Sequence, residues 1–223
     1  MIKLFFLKGF YFCILLFSLT CKADIIIKSN FETNLLFTDK KEGGNYDRGS
    51  WGKIIFIKNK AMIDLSKSER IYASSDYSEL SPSGIYLKVN SINRDYLSMK
   101  GKPKNAVDKT YCTIIDMRNG CIITDWDGEI CGYEWKINED VLTSADNTVA
   151  RDFNFISLRP NLGKVKKSFS LLSKFEVKNL LRCDEPSKEN ITIYKRMAEE
   201  NKENSILIKK SLRRVMQKSG EYQ

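Results

Sequence analysis

The residues of this chain able to do chemistry are six cysteines, 28 acidic side chains and scattered hydroxyls, with no histidine among its 223 residues. Without an imidazole there is no residue of that kind to act as general base, nucleophile activator or metal ligand. Ser-His-Asp hydrolysis, Cys-His proteolysis, zinc-peptidase chemistry and histidine-based ribonuclease chemistry are excluded. Paired carboxylates remain, because glycoside hydrolysis needs only two acids about 5 to 10 Å apart. Asp116, Asp125, Glu129 and Glu134 are the candidates, since they share one stretch of sequence. Cys112, Cys121, Cys131 and Cys183 follow one another at spacings of nine, ten and 52 residues, with no C-x-x-C pair. Those spacings do not make a zinc ribbon, and no metal is expected.

Two short motifs carry weaker signals. Asp125-Trp126-Asp127-Gly128-Glu129 has the composition of a calcium loop, but such a loop needs its glycine at the sixth position and here Gly128 is the fourth. Ser50-Trp51-Gly52-Lys53 together with Ser91-Ile92-Asn93 resembles the S-x-x-K and S-x-N elements of the serine acyltransferases that bind penicillin. Against this, Gly52 followed by Ile54, Ile55 and Ile57 predicts a turn and then a strand, where that class has a helix. The third element appears only as Lys109-Thr110-Tyr111. No phosphate-binding glycine-rich loop and no dinucleotide fingerprint occurs, so no nucleotide or other cofactor is expected.

The N-terminus states a destination. Lys3 and Lys8 precede an apolar run from Gly9 to Leu19, and Cys21-Lys22-Ala23 follows, the order of a secretory signal peptide cut after Ala23. A transmembrane anchor needs about 20 apolar residues, and Lys8 interrupts the run. A lipoprotein start at Cys21 would want Leu and a small residue where Ser18 and Thr20 stand. Export to a bacterial periplasm or the extracellular space leaves Cys112, Cys121, Cys131 and Cys183, an even set that predicts two disulfides in an oxidising compartment. The exported chain would carry 34 cations against 28 acids, and from Lys164 onward 15 against eight, so the positive excess lies at the C-terminal end.

The elements positioning these residues read mainly as strands. Short β-branched and aromatic runs at 24–28, 34–38, 53–58, 61–65, 70–73 and 84–89 are divided by Gly43-Gly44-Asn45, residues 49–52 and Ser81-Pro82-Ser83-Gly84. Asn119-Gly120 and Asp127-Gly128 suit two-residue hairpin turns, which predicts a three-stranded meander of 111–118, 121–126 and 129–137. In that register Met117 faces Ile122 and Cys112 faces Asp127. Ile115, Met117, Ile122, Trp126, Cys131, Tyr133 and Trp135 then share one apolar face. A bond between Cys112 and Cys121 is not expected, since they would stand about 20 Å apart along the ladder. Trp126, Tyr133 and Trp135 fit core packing better than a sugar-binding platform. Residues 152–158 read as a further strand and 164–183 as a strand or mixed element. After Pro186, Ser187 can cap a helical pattern of Ile191, Tyr194, Ala198, Ile208, Leu212 and Val215, stopped by Gly220. The polar stretch 199–205 suggests two helices in place of one.

The expected fold is mainly β, an antiparallel sheet of sandwich or barrel-like form with a C-terminal helical segment, and α+β is the alternative. Residues 1–23 form the signal, 24–186 a disulfide-containing β domain and 187–223 a basic amphipathic tail. With no strong catalytic constellation, the expected function is non-enzymatic binding, of inhibitor or immunity type or as an envelope interaction factor, with another protein as partner. A carboxylate-based envelope hydrolase and a binder of polyanions or membrane surfaces through the tail are the alternatives; nucleic acid is not an expected partner.

Overall fold

A computed structural model of the chain describes residues 25–41, 49–73, 78–97, 105–144, 153 and 155–218. The expected signal, residues 1–23, and Gly220 lie outside the described residues. Among the described residues eleven strands are present: β1 (Ile25–Lys28), β2 (Thr33–Lys41), β3 (Ser50–Lys58), β4 (Ala61–Asp64), β5 (Arg70–Ala73), β6 (Ser78–Leu80), β7 (Tyr86–Leu97), β8 (Asn105–Asp116), β9 (Cys121–Asp127), β10 (Glu134–Trp135) and β11 (Leu142–Thr143). Four helices follow: α1 (Phe155–Leu158), α2 (Lys174–Cys183), α3 (Ile191–Glu200) and α4 (Ser205–Lys218). The fold is mainly antiparallel β with C-terminal helices, as the strand runs predict.

The large sheet has the order β1-β2-β3-β5-β7-β8-β9, with β4 on β3 and β6 on β7, while β10 and β11 pair separately. Alternation along β2 sends Thr33, Leu35 and Phe37 to one side. There they pack with Ile54 and Phe56 from β3 and with Ile115 and Ile122 from the far end of the sheet. Strands distant in the order therefore share one core, and the sheet curls over it without closing into a barrel. Thr33 also donates its hydroxyl to the Met117 carbonyl, stitching β2 to the loop after β8.

The meander is corrected by the structure in two places. The first turn is a four-residue loop, Met117 to Gly120, in which the Asn119 and Gly120 amides both donate to the Asp116 carbonyl, at 3.3 and 2.8 Å. Gly120 takes φ +72°, and a Cβ there would meet the Phe56 ring at 2.7 Å, so the turn glycine also makes room for the core. The register becomes Ile115 opposite Ile122 and, past a bulge that leaves Ile123 unpaired, Ile114 opposite Thr124 and Cys112 opposite Trp126. The bulge changes which residues face inward. Ile115, Met117 and Ile122 stay in the first core, while Ile123 and Trp126 join Ile114, Cys121 and Phe155 on the opposite face. Both faces are apolar here, so the expected single core face is wrong.

Gly128, with φ +75°, leaves the sheet instead of returning the chain along it. A 3-10 turn over Gly128–Gly132 replaces the third strand. It carries Cys131 back to Cys112. Of the expected strand at 152–158, residues 155–158 form the helical turn α1. The 164–183 segment, expected as a strand or mixed element, contains helix α2. Ser173 accepts from the Glu176 amide while the Glu176 carboxylate accepts from the Ser173 amide, and this reciprocal cap starts the helix. After Pro186 there are two helices, as the polar gap suggests, but the N-cap is Asn190 rather than Ser187. Asn201 and Asn204 fill the gap, and their side-chain amides donate to the carbonyl of Leu172. One buried cluster runs from Leu162 and Leu172 through Val177, Tyr194 and Met197 to Leu212, so α2, α3 and α4 pack as a unit.

Candidate functional site

Each residue singled out for chemistry has a definite place. The cysteines pair as Cys112–Cys131 and Cys121–Cys183. The first bond ties the 3-10 turn to β8. The second ties the C-terminus of α2 to the start of β9, where four hydrogen bonds reinforce it. The Asn179 side chain accepts from the Ile122 amide at 2.9 Å and donates to the Ile122 carbonyl at 2.8 Å, completing the exposed ladder of β9 as another strand would. Asn119 donates to the Arg182 carbonyl at 2.8 Å, and Arg182 Nε donates to the Gly120 carbonyl at 3.0 Å.

The candidate acids are largely engaged. Asp116 is fully buried, and its carboxylate accepts from Arg118 Nε and Nη2 at 3.0 and 2.7 Å and from Arg159 Nη1 at 2.5 Å. Burial pushes this carboxyl up, but the two guanidiniums outweigh that and hold it below its ordinary value. A glycosidase acid needs the reverse shift. Asp125 accepts from Thr113 at 2.7 Å, Lys67 at 2.5 Å and Arg70 at 3.1 Å. Asp127 pairs with Lys109 at 2.6 Å on the surface, and Glu134 is exposed. The Glu129 side chain lies outside the described residues. In the S-x-x-K motif, Ser50 and Lys53 stand three apart on β3, so their side chains leave opposite faces of the strand. Ser50 is buried and Lys53 exposed, an arrangement that cannot pass a proton between them.

Trp126, Tyr133 and Trp135 are half-buried against two phenylalanines. Trp126 and Tyr133 meet Phe153 with ring centroids 4.7 and 5.7 Å apart, and Trp135 meets Phe155 at 5.7 Å. Trp135 also donates its indole N–H to the Glu79 carbonyl at 3.2 Å. These are packing contacts, and the strand expected over 152–158 does not bring Phe153 and Phe155 to these rings, whereas the structure does.

Two concavities adjoin the helical unit. One, of about 470 Å³, lies between β9 and the turn before α2, and its cations are mostly matched. Lys67 is bonded to Asp125, Lys167 to Glu176 at 2.7 Å, and Lys164 to the Arg159 carbonyl at 3.0 Å. The other, of about 570 Å³, is a cleft between β4 and the helices α2 and α4. Lys178 and Arg182 enter it from α2, Lys210 and Arg214 from α4, against the carboxylates of Asp64 and Glu185. Among the described residues no carboxylate pairs with any of these four cations. Burial lowers the Arg182 guanidinium to about 10, which leaves it charged at neutral pH.

The outer face of α4 continues this surface. Lys209, Lys210, Arg213 and Arg214 are exposed, the helix contains no acid, and Ile206 beside them is 81% exposed. The sequence flagged the charge excess but not the cleft, because Met62 and Asp64 reach it from a strand more than 100 residues earlier. No helix among the described residues is long and apolar enough to cross a membrane. Comparison of the chain with protein-family models and with curated proteins returns no match.

Proposed function

We propose that this is an exported, non-enzymatic binding protein, an interaction factor that engages an anionic surface of the cell envelope through its helical unit. The observation that carries the reading is the set of exposed cations Lys209, Lys210, Arg213 and Arg214, without an ion-pair partner among the described residues, on one acid-free helix whose apolar side is already used in packing. A solvated helix held for stability alone gains from alternating charges, and a one-signed face raises the local concentration of anionic partners. The signal-like N-terminus and the two disulfides support export. Each cation near an anionic bilayer contributes about 1 kcal/mol at moderate salt. Replacing these four by alanine is expected to reduce sedimentation with vesicles containing phosphatidylglycerol by two orders of magnitude or more, with binding of the parent protein weakening steeply as salt rises. Unchanged binding in the fourfold variant would refute the reading.

A second reading is an inhibitor or immunity-type protein that masks another protein. It draws on β1, which pairs only with β2 among the described residues and turns Ile26 outward at 51% exposure. An open strand edge is a template for a partner strand. Crosslinking and pull-down from envelope extracts test it. Recovery of one partner, lost on changing Ile26→Lys, supports this reading, and absence of any protein partner defeats it.

A further inference from the structure

We propose that the cleft between β4 and helices α2 and α4 holds the phosphate of an anionic phospholipid, with Arg182 as its fixed donor and the flanking apolar wall taking the first part of an acyl chain. The inference rests on the envelope-binding reading above and names a ligand for one part of that surface.

Arg182 is the centre of the argument. Its Nε is held by the Gly120 carbonyl at 3.0 Å and its Nη2 by Asn179 Oδ1 at 3.1 Å. Asn179 is itself locked to β9 by two bonds to Ile122. The guanidinium is therefore set in place before any ligand arrives, which cuts the ordering cost of binding. Nη1 makes no bond among the described residues. A partly buried cation whose partners are all neutral gains from an oxyanion more than a surface lysine does, because water screens it less. Lys178, one turn earlier on α2, and Lys210 and Arg214, one turn apart on α4, supply further cations to the same cleft.

The apolar wall decides the class of anion. Met62 on β4 is 65% exposed, and with Ile63, Leu181, Leu207 and Val215 it lines the cleft beside the cations. A free phosphate has no use for such a wall. A phospholipid presents a phosphate and a hydrocarbon chain a few ångströms apart, which matches cations and apolar side chains in one cleft of about 570 Å³, a size ordinary for a small-ligand site. Asp64 and Glu185 also line it, and repulsion from them disfavours a group carrying several charges over a phosphodiester.

The test uses the full exported chain and a soluble short-chain probe, so that bulk surface attraction plays no part. Dihexanoyl phosphatidylglycerol below its micelle concentration is titrated by calorimetry and by NMR, beside dihexanoyl phosphatidylcholine and inorganic phosphate. Saturable binding of the phosphatidylglycerol is expected, roughly tenfold tighter than either comparison ligand. Lys210→Ala with Arg214→Ala, both exposed and safe for folding, is expected to weaken it roughly tenfold or more, as is Met62→Glu. Lys209→Ala with Arg213→Ala, outside the cleft, is expected to leave it unchanged while still lowering vesicle sedimentation. No saturable binding of the short lipid, with vesicle sedimentation intact, overturns the site and spares the surface reading. Equal affinity for inorganic phosphate overturns the lipid assignment. Loss of both short-lipid and vesicle binding in the parent protein removes both proposals.

Discussion

Replacing Cys121 and Cys183 together by alanine tests how the helical unit is held to the sheet. The bond closes a 62-residue loop, for which the chain-entropy relation gives about 4 kcal/mol at 25 °C. Cys112–Cys131 closes only 19 residues, and the same relation gives about 3 kcal/mol. With a urea slope of about 2 to 3 kcal/mol/M for a chain of this size, the Cys121/Cys183 variant should unfold about 1.5 M earlier than the parent protein. The Cys112/Cys131 variant should fall between them. Urea titration without reductant, followed by far-ultraviolet circular dichroism, measures both. The ordering is the sharper outcome, because Cys121 and Cys183 are both buried while Cys131 is only half-buried, so packing losses act in the same direction as loop length. A Cys112/Cys131 variant weaker than the Cys121/Cys183 variant would refute the loop-length argument. A loss below about 1 kcal/mol for Cys121/Cys183 would mean that Asn179 and Arg182 hold α2 without it.

Two further outcomes follow from the same junction and its neighbour. Asn179→Leu removes both bonds to Ile122 and leaves a buried amide and carbonyl unpaired, which should cost about 2 to 4 kcal/mol in urea unfolding and speed exchange of the Ile122 amide; slow exchange there would contradict the strand-mimic role. Asp116 has its carboxyl lowered on folding, so its contribution is complete above the unfolded value of 3.8 and is lost as pH falls through the lower folded value. Asp116→Asn should flatten the acid limb of stability below about pH 4. At neutral pH it should cost about 2 kcal/mol, less than a fully buried pair because Arg118 is 48% exposed. An unaltered acid limb by thermal melts across pH would disprove that assignment.

How far the residues announced their own arrangement depends on the range of the interaction. The runs at 34–38, 53–58, 61–65 and 70–73 became strands because β-branched and aromatic side chains recur with period two between turn residues, and that is information carried within a few positions. The two helices after Pro186 and the polar gap between them were equally local. Residues 174–183 carry two conflicting local signals. Phe175, Val177 and Asn179 alternate with polar residues as in a strand, while the Ser173-x-x-Glu176 box starts a helix, and the helix wins. Asn179 is polar yet buried, because its side-chain amide substitutes for a neighbouring strand.

The absence of histidine, the export-like N-terminus, the even cysteine set and the basic C-terminal excess follow from composition and order alone, since each concerns which groups exist. Which cysteines meet, which face of β9 turns inward and which cations share a cleft came only from the folded chain. A single bulge at Ile123 flips every side chain beyond it, and Met62 and Arg214 line one cleft only because the fold brings β4 beside α2 and α4. Such contacts depend on the sum of packing across distant segments, and no local spacing encodes that sum.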